Sequence, residues 1–270
     1  MDTIRIIHNL PRSGGSIISK SISAHKDIVL LSEIHPEGSK VIKKRGNKAK
    51  FADPLYQFQN WYKLLSNDEF KKIEENNLNF LQKIITINNK VKDQNKILVI
   101  RDWSFIDYLG QPYIDPTNKN TLFELLNKQF NVKNLFLIRD PLETFLSCMK
   151  NLDFFPKNYS FDKFLDGYDY FIKDISLDNT ITFEEFTSDP NKTLKKISNI
   201  LNFKFDPNYL DNLKKIKITG DREALIATNI KIKQNTGYTS LTDEQRGQID
   251  KKTIYNTIMT KISEFYLNKK

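Results

Sequence analysis

The sequence contains a single cysteine, Cys148, among its 270 residues. One cysteine excludes an intrachain disulfide and a zinc site built from several cysteine ligands, so the cytoplasm is the expected location. No apolar run reaches the roughly 20 residues that a membrane-spanning helix needs. The residues after Met1 also lack the basic and then apolar pattern of a signal peptide. We therefore expect no integral membrane association.

Glycine and proline are scarce, with nine of each, and no stretch is rich enough in them to act as a linker between domains. Aromatic residues are abundant, with 19 Phe and 11 Tyr, which argues against disorder. A chain of this length can bury one sizeable core. We expect a single domain over residues 1–270.

The formal net charge is +9, from 42 basic and 33 acidic side chains. This charge suits an anionic ligand, a nucleic acid or an acidic membrane surface, and does not choose between them. The densest basic stretch, residues 40–50, is interpreted as a solvated loop, and no basic face typical of nucleic-acid readers is evident. We predict no nucleic-acid partner, and the oligomeric state is left open.

Short runs rich in β-branched residues alternate with segments of helical period. The runs, which predict buried strands, span residues 3–7, 28–31, 97–100, 135–138 and 180–183. Near-continuous apolar runs are typical of parallel strands covered on both faces. We predict a three-layer α/β/α domain with a five-stranded, mainly parallel sheet. Residues 36–95 would form a helical insertion between the second and third strands, where they could cap an acceptor site.

The first segment that can carry chemistry follows the first strand directly. It reads Pro-Arg-Ser-Gly-Gly-Ser over residues 11–16 and opens a helix. Gly14 and Gly15 allow a tight turn whose N–H groups face one point, and Arg12, Ser13 and Ser16 add further donors. Together with the helix N-terminus they predict an anion-binding loop. The loop lacks the lysine of a Walker A motif, which makes an ATP phosphotransferase less favoured.

The second segment begins at the end of the fourth strand. Arg139 stands at that end, and Pro141 starts a helix in which Ser147 lies about two turns along. Arg139 and Ser147 can meet at one phosphate only if the helix runs back beside the strand end. A salt bridge from Arg139 to a residue such as Asp140 is the alternative.

A third segment, from Phe183 to Phe203, reads as a strand end, an acidic turn and a helix capped by Asp189. In this order, the three segments resemble the sulfotransferases that use 3′-phosphoadenosine 5′-phosphosulfate. The loop resembles the family's P-R-S-G-T-T sequence, with Gly15 and Ser16 in place of two threonines. Arg139 and Ser147 match its R-x7-S pattern. The motifs cover about a quarter of the chain.

The resemblance implies a P-loop-like fold and transfer of a sulfuryl group to a hydroxyl or amine, leaving adenosine 3′,5′-bisphosphate. It implies that residues 12–16 bind the 5′-phosphosulfate, that Arg12 also acts in catalysis, and that Arg139 and Ser147 bind the 3′-phosphate. No metal is implied. The partner would be a small molecule, a glycan or a lipid, and the sequence does not identify it. A narrower resemblance, carried by residues 31–36 and 101–103, is to an under-described bacterial branch of this superfamily.

Catalysis also needs a general base near the acceptor. Glu33, His35 and Asp102 follow the predicted second and third strands and are the candidates, with Glu33 preferred and His35 second. Asp102 could instead pair with Arg101, and Glu33 could pair with Arg12.

Further residues could contribute to the acceptor site or the nucleotide site. Some aromatic side chains could line an acceptor pocket, although core packing is the commoner role of such residues. They are Trp61, Tyr62, Phe70 and Trp103. Residues 219–222, Lys231 and Lys233 lie where the family has a late basic loop over the nucleotide, but its R-K-G signature is not reproduced. Two other functions stay open, a P-loop kinase or nucleotide phosphotransferase and a non-catalytic polyanion-binding protein.

Overall fold

A five-stranded sheet forms the centre of the computed structural model, which describes residues 1–44, 46, 49–213, 216, 218–219 and 237–267. The strands are β1 Thr3–Asn9, β2 Ile28–Ile34, β3 Ile97–Asp102, β4 Asn131–Ile138 and β5 Thr180–Thr182. Their order across the sheet is β2-β3-β1-β4-β5, and every adjacent pair is parallel. The predicted α/β class is therefore confirmed, with β1 in the middle of the sheet.

Helices cover the sheet. Those before β4 are α1 Gly15–Ser23, α2 Gly38–Lys44, α3 Pro54–Tyr62, α4 Asn67–Glu75, α5 Phe80–Asp93, α6 Phe105–Leu109 and α7 Thr121–Leu126. Those after β4 are α8 Pro141–Asn151, α9 Phe161–Phe171, α10 Phe183–Ser188, α11 Pro190–Leu201, α12 Tyr209–Leu213, α13 Asp243–Asp250 and α14 Thr253–Leu267.

Side-chain alternation along β1 assigns the helices to two faces. Ile7 packs in a buried cluster with Ile18 of α1 and Leu194 of α11. Its neighbour Ile6 packs in a different cluster with Ile84 of α5. Because consecutive strand residues point to opposite faces, helices lie on both sides of the sheet. This is the predicted three-layer arrangement.

Helix α3 of the insertion protects β2, the edge strand beside β3. The side-chain amide of Gln57 donates to the Ser32 carbonyl at 2.7 Å and accepts from the Ser32 N–H at 2.8 Å. The Tyr62 hydroxyl makes the same pair of bonds to Leu30, at 2.9 and 2.8 Å. These bonds satisfy backbone groups that an exposed edge would offer to other strands. The hydroxyl of Tyr62, a residue that could have lined an acceptor pocket, is therefore bonded to the edge strand.

The start of the basic stretch at residues 40–50 differs from the predicted loop. Residues 38–44 form helix α2, because Val41 and Ile42 are fully buried against the rest of the fold. Helix α2 therefore carries both lysines and a buried apolar face. The number of basic residues alone did not indicate that face.

One other segment also differs from the prediction. The acidic turn after β5 is helix α10, because the Thr182 side chain and Glu185 form a reciprocal capping box at its start.

Candidate active site

The segment between β1 and α1 is a tight loop that ends at the first residue of α1. The Ser13 hydroxyl donates to the Leu10 carbonyl at 2.6 Å, and Arg12 and Gly14 both have positive φ angles, 67° and 91°. Gly14 is the N-cap of α1 and has no side chain with which to cap the helix, and no acidic residue stands in the first turn. The first N–H groups of a helix have no partner within it, so this terminus suits an anion.

A side chain on Gly14 would collide with an aromatic ring, whereas one on Gly15 would displace the end of a neighbouring side chain. A Cβ atom on Gly14 would lie 2.2 Å from the Phe183 ring, and one on Gly15 would lie 2.4 Å from the side-chain amide of Asn9. The backbone is thus held close against its surroundings, as in loops where a ligand approaches main-chain N–H groups directly.

Replacing Gly14 with alanine is expected to lower the free energy of unfolding by more than about 1 kcal/mol, because the alanine meets both the positive φ and the Phe183 ring. Gly247 in α13 is a matched control, since nothing lies within 4 Å of an added Cβ there. Gly247→Ala should stabilise the helix by roughly 0.5–1 kcal/mol. Urea denaturation measures both, and equal stability of the two variants would contradict the prediction.

Arg12, Arg139 and Ser147 meet on one side of this loop. The Arg12 Nε donates to the Ser147 hydroxyl at 3.0 Å, and Arg139 Nη1 donates to the Arg12 carbonyl at 3.1 Å. Arg139 and Ser147 therefore both contact Arg12, Arg139 at the carbonyl of Arg12 and Ser147 at its side chain. Three residues separated by up to 135 positions form one cationic cluster.

Arg139 is held in a buried position, with 3% of its surface exposed. Its Nη2 forms an ion pair with Glu143 at 3.2 Å, and its guanidinium lies 5.0 Å from the centre of the Phe183 ring. The Glu143 carboxylate also accepts the Gly237 N–H. Asp140, the partner considered from the sequence, instead caps α8 by accepting from Leu142 and Glu143 N–H groups. The Arg139 Nε has no hydrogen-bond partner among the described residues.

A second cationic cluster, which the sequence interpretation missed, is centred on Arg101. This residue is 2% exposed, and its Nη1 donates to the Ser16 hydroxyl at 3.0 Å. Its Nη2 forms an ion pair with Glu33 at 2.7 Å. Burial lowers the pKa of Arg101, and the Glu33 carboxylate opposes that shift. Within the described part of the chain its Nε, like that of Arg139, has no partner.

Glu33 lies at a bulge near the carboxyl end of β2. The pairing with β3 steps from Ser32 opposite Arg101 to Ile34 opposite Asp102, so Glu33 is an extra residue. Its φ is 57°, a left-handed conformation that is costly for a residue with a side chain. Bulges next to active sites commonly redirect a side chain, and backbone strain gathers at functional positions. Here the bulge directs the Glu33 carboxylate to Arg101 and not to Arg12.

The other two candidate bases are buried and paired. Asp102 contacts His8 Nδ1 at 3.2 Å and accepts from the Ser104 hydroxyl at 2.7 Å. Consecutive strand residues point to opposite faces, so Asp102 faces away from Arg101 and its contacts with Ser16 and Glu33.

Both ring nitrogens of His35 are engaged. Nε2 contacts Asp107 at 3.1 Å, and Nδ1 accepts the Glu37 N–H at 3.1 Å. Burial alone would raise the pKa of Asp107, but the hydrogen bonds from His35, Thr117 and Thr121 hold that pKa below its usual value. The arrangement orders the chain just after Glu33.

The remaining predicted positions divide into two groups. Trp103 is nearly fully buried and packs against Phe105, and Phe70 packs against a core cluster. Residues 220–222, Lys231 and Lys233 lie outside the described residues. Thr219, at the start of that segment, contacts Ser16, Ser32 and Arg101.

Two features are absent from the part of the chain that the structure describes. None of the helices in this part of the chain is long and apolar enough to span a membrane. Over the same residues, no group of three or more His, Cys, Asp or Glu side chains has an arrangement that could hold a metal ion.

A parallel sheet with a glycine-containing loop between its central strand and the first helix defines a P-loop-like α/β protein. Solved structures narrow this class. The chain is similar to a sulfotransferase domain from the curacin biosynthetic pathway, at 17% identity with a TM-score of 0.60, covering 97% of this chain and 98% of that one. It is also similar to the sulfotransferase domain of an olefin synthase from Synechococcus PCC 7002, at 14% identity with a TM-score of 0.62, covering 96% and 94%. The chain therefore has the sulfotransferase fold over nearly its whole length.

Comparisons of the sequence found no match. No protein-family model matches the chain, and no curated protein matches it significantly.

Proposed function

We propose that this protein is a sulfotransferase that uses 3′-phosphoadenosine 5′-phosphosulfate as its donor. The observation that carries the proposal is the meeting of Arg12, Arg139 and Ser147 beside a glycine loop that opens α1. The sulfotransferase fold supports it independently. A loop without the Walker lysine fits this donor better than it fits ATP.

The residues present fit a donor that carries two separate anionic groups. A helix that starts at a glycine, with no acidic residue in its first turn, favours bound negative charge. So do the Nε atoms of Arg101 and Arg139, which have no partner among the described residues. In this proposal, residues 12–16 bind the 5′ end of the donor, and Arg139 with Ser147 binds its 3′-phosphate. When bound, the donor supplies an activated sulfuryl group whose leaving group is a phosphate.

Arg101 and Glu33 supply the remaining roles in the proposal. Glu33 accepts the proton of the acceptor, for which its partly exposed carboxylate at a sheet edge is suited. Arg101 contacts Ser16 of the loop as well as Glu33, so its fixed charge would stabilise negative charge that develops between them. Positioning and charge stabilisation are the main requirements of such a transfer.

Calorimetry with adenosine 3′,5′-bisphosphate tests the proposal, with ATP as the competing ligand. We expect saturable binding at one site and binding of ATP at least roughly tenfold weaker, because one residue set is placed for a 3′-phosphate. Tighter binding of ATP would favour a nucleotide kinase. Binding without saturation, with an affinity that falls steeply with salt, would favour a polyanion-binding protein.

A further inference from the structure

The hydroxyl of Ser147, which the proposed function places at the 3′-phosphate, receives hydrogen bonds from two other side chains. The Arg12 Nε donates to the Ser147 Oγ at 3.0 Å, and the Asn151 Nδ2 lies 3.4 Å from the same oxygen. Ser147 and Asn151 stand four positions apart on α8, so their side chains share one face of that helix. Asn151 is thus a neighbour of the site that the sequence motifs did not include.

The carbonyl of Ser147 fixes the orientation of the Asn151 side chain. The Asn151 Nδ2 lies 3.0 Å from that carbonyl oxygen. A carbonyl oxygen only accepts hydrogen bonds, so the nitrogen of the side-chain amide, and not its oxygen, must face it. The same nitrogen also faces the Ser147 Oγ, and an N–H shared between two acceptors in this way is a three-centre bond. Asn151 therefore approaches the Ser147 hydroxyl as a donor.

These contacts determine what the Ser147 hydroxyl can do with its proton. A serine oxygen has two lone pairs and one proton, whereas a guanidinium and an amide nitrogen only donate. Arg12 and Asn151 therefore engage both lone pairs of the Ser147 Oγ. The proton must then be given to a third group, and this hydroxyl donates to none of the residues that the structure describes. The Ser147 hydroxyl is held as a donor toward whatever binds beside it.

We infer that Asn151 is a positioning residue of the 3′-phosphate site, which acts by holding the Ser147 hydroxyl as a donor toward the ligand. The inference rests on the proposed function and adds to it a residue and a reason for selectivity. A phosphate oxygen only accepts, so it matches a hydroxyl that can only donate. A ribose hydroxyl in that place has a proton of its own, for which the side chains of Arg12, Arg139 and Ser147 offer no acceptor.

Two substitutions at Asn151 test this role with little change of shape. Asn151→Leu removes the donor, so the Ser147 proton is no longer directed, and affinity for adenosine 3′,5′-bisphosphate should fall roughly three- to tenfold. Asn151→Asp accepts the Ser147 proton itself and turns it away from the ligand, so that affinity should fall at least about tenfold. Adenosine 5′-monophosphate lacks the 3′-phosphate, and its affinity for the leucine variant should change less than about twofold.

Isothermal titration calorimetry measures the affinities for both nucleotides, and the ratio between them reports on the 3′-phosphate alone. The measurement is then repeated for Asn151→Leu in a protein that also carries Ser147→Ala. Because Asn151 acts through the Ser147 hydroxyl, its substitution should have no further effect there. Asn60→Leu on α3 is the matched control, since Asn60 is exposed and its side chain likewise donates to the carbonyl four residues earlier. It should leave the ratio unchanged.

Three results, obtained with variants that thermal unfolding shows to be folded, would overturn the inference. They are an unchanged bisphosphate affinity in either Asn151 variant, an equal loss for the two nucleotides in Asn151→Leu, and a loss that persists beside Ser147→Ala. In each case the unchanged protein would still bind the bisphosphate, and the proposed function would stand. Failure of the unchanged protein to bind the bisphosphate would instead contradict the proposed function itself.

Discussion

Replacing Arg139 with alanine is expected to weaken the binding of adenosine 3′,5′-bisphosphate by about 2 kcal/mol or more. Arg139 is buried, and its Nε is without a partner among the residues that the structure describes. A charged contact made in such a desolvated place typically costs about 2–5 kcal/mol when one partner is truncated. Isothermal titration calorimetry measures the change directly.

Two further variants separate this role from general effects of charge and folding. Lys150→Ala removes one positive charge from the exposed face of the same helix, α8, and should leave the affinity nearly unchanged. Arg139→Ala also leaves the buried Glu143 without its cation, which can itself cost about 3–5 kcal/mol of stability. Arg139→Lys keeps the charge and loses the planar fork, so it should fold and bind the bisphosphate more weakly.

Glu143→Gln provides the opposite test. The substitution removes the charge that competes with a ligand for Arg139, and should therefore tighten binding of the bisphosphate. If Arg139→Ala and Arg139→Lys are both folded and bind as well as the unchanged protein, Arg139 does not contact the nucleotide.

The loop between β1 and α1 could be predicted from the sequence because its chemistry is local. Arg12, Ser13 and Gly14 stand within a few residues of a strand end and a helix start, so their order alone indicates an anion cradle. The start of α8 is local in the same way, since Asp140 caps the helix and Pro141 occupies its first position.

Arg101 was missed although the sequence contained a signal for it. Arg101 and Asp102 are adjacent on a strand, and adjacent strand residues point to opposite faces, which argues against the pairing considered at first. The structure accordingly places Arg101 beside Ser16 and Asp102 beside His8. The alternation of side chains along a strand could have shown that Arg101 does not pair with Asp102. It does not identify the residues of other elements that Arg101 contacts.

Contacts between distant parts of the chain were beyond sequence reasoning. Glu143 accepts from Gly237, 94 positions away, and Ser32 contacts Thr219, 187 positions away. No local sequence pattern indicates either pair, because each contact depends on how distant parts of the chain pack together in the fold. The strained bulge at Glu33 is similar, since it depends on the register between β2 and β3.

Replacing Glu33 with glutamine is expected to lower turnover by roughly a hundredfold or more, the usual size of a general-base contribution. The substitution keeps the shape of the side chain and its place on the bulge, and removes the carboxylate that accepts the proton. Release of adenosine 3′,5′-bisphosphate from the donor in the presence of an alcohol measures the change. Affinity for the bisphosphate should not weaken, because Glu33 contacts Arg101 and has no assigned role on the nucleotide.

His35→Ala and Asp102→Asn are the comparisons that decide the base. Both residues are buried with partners of their own, so we expect these variants to lower thermal stability more than turnover per folded molecule. If Glu33→Gln keeps full turnover while one of them abolishes it in a folded protein, that residue is the base. If none of the three affects turnover, the acceptor binds away from the end of β2, and the strain stored at Glu33 serves only to place a carboxylate against Arg101.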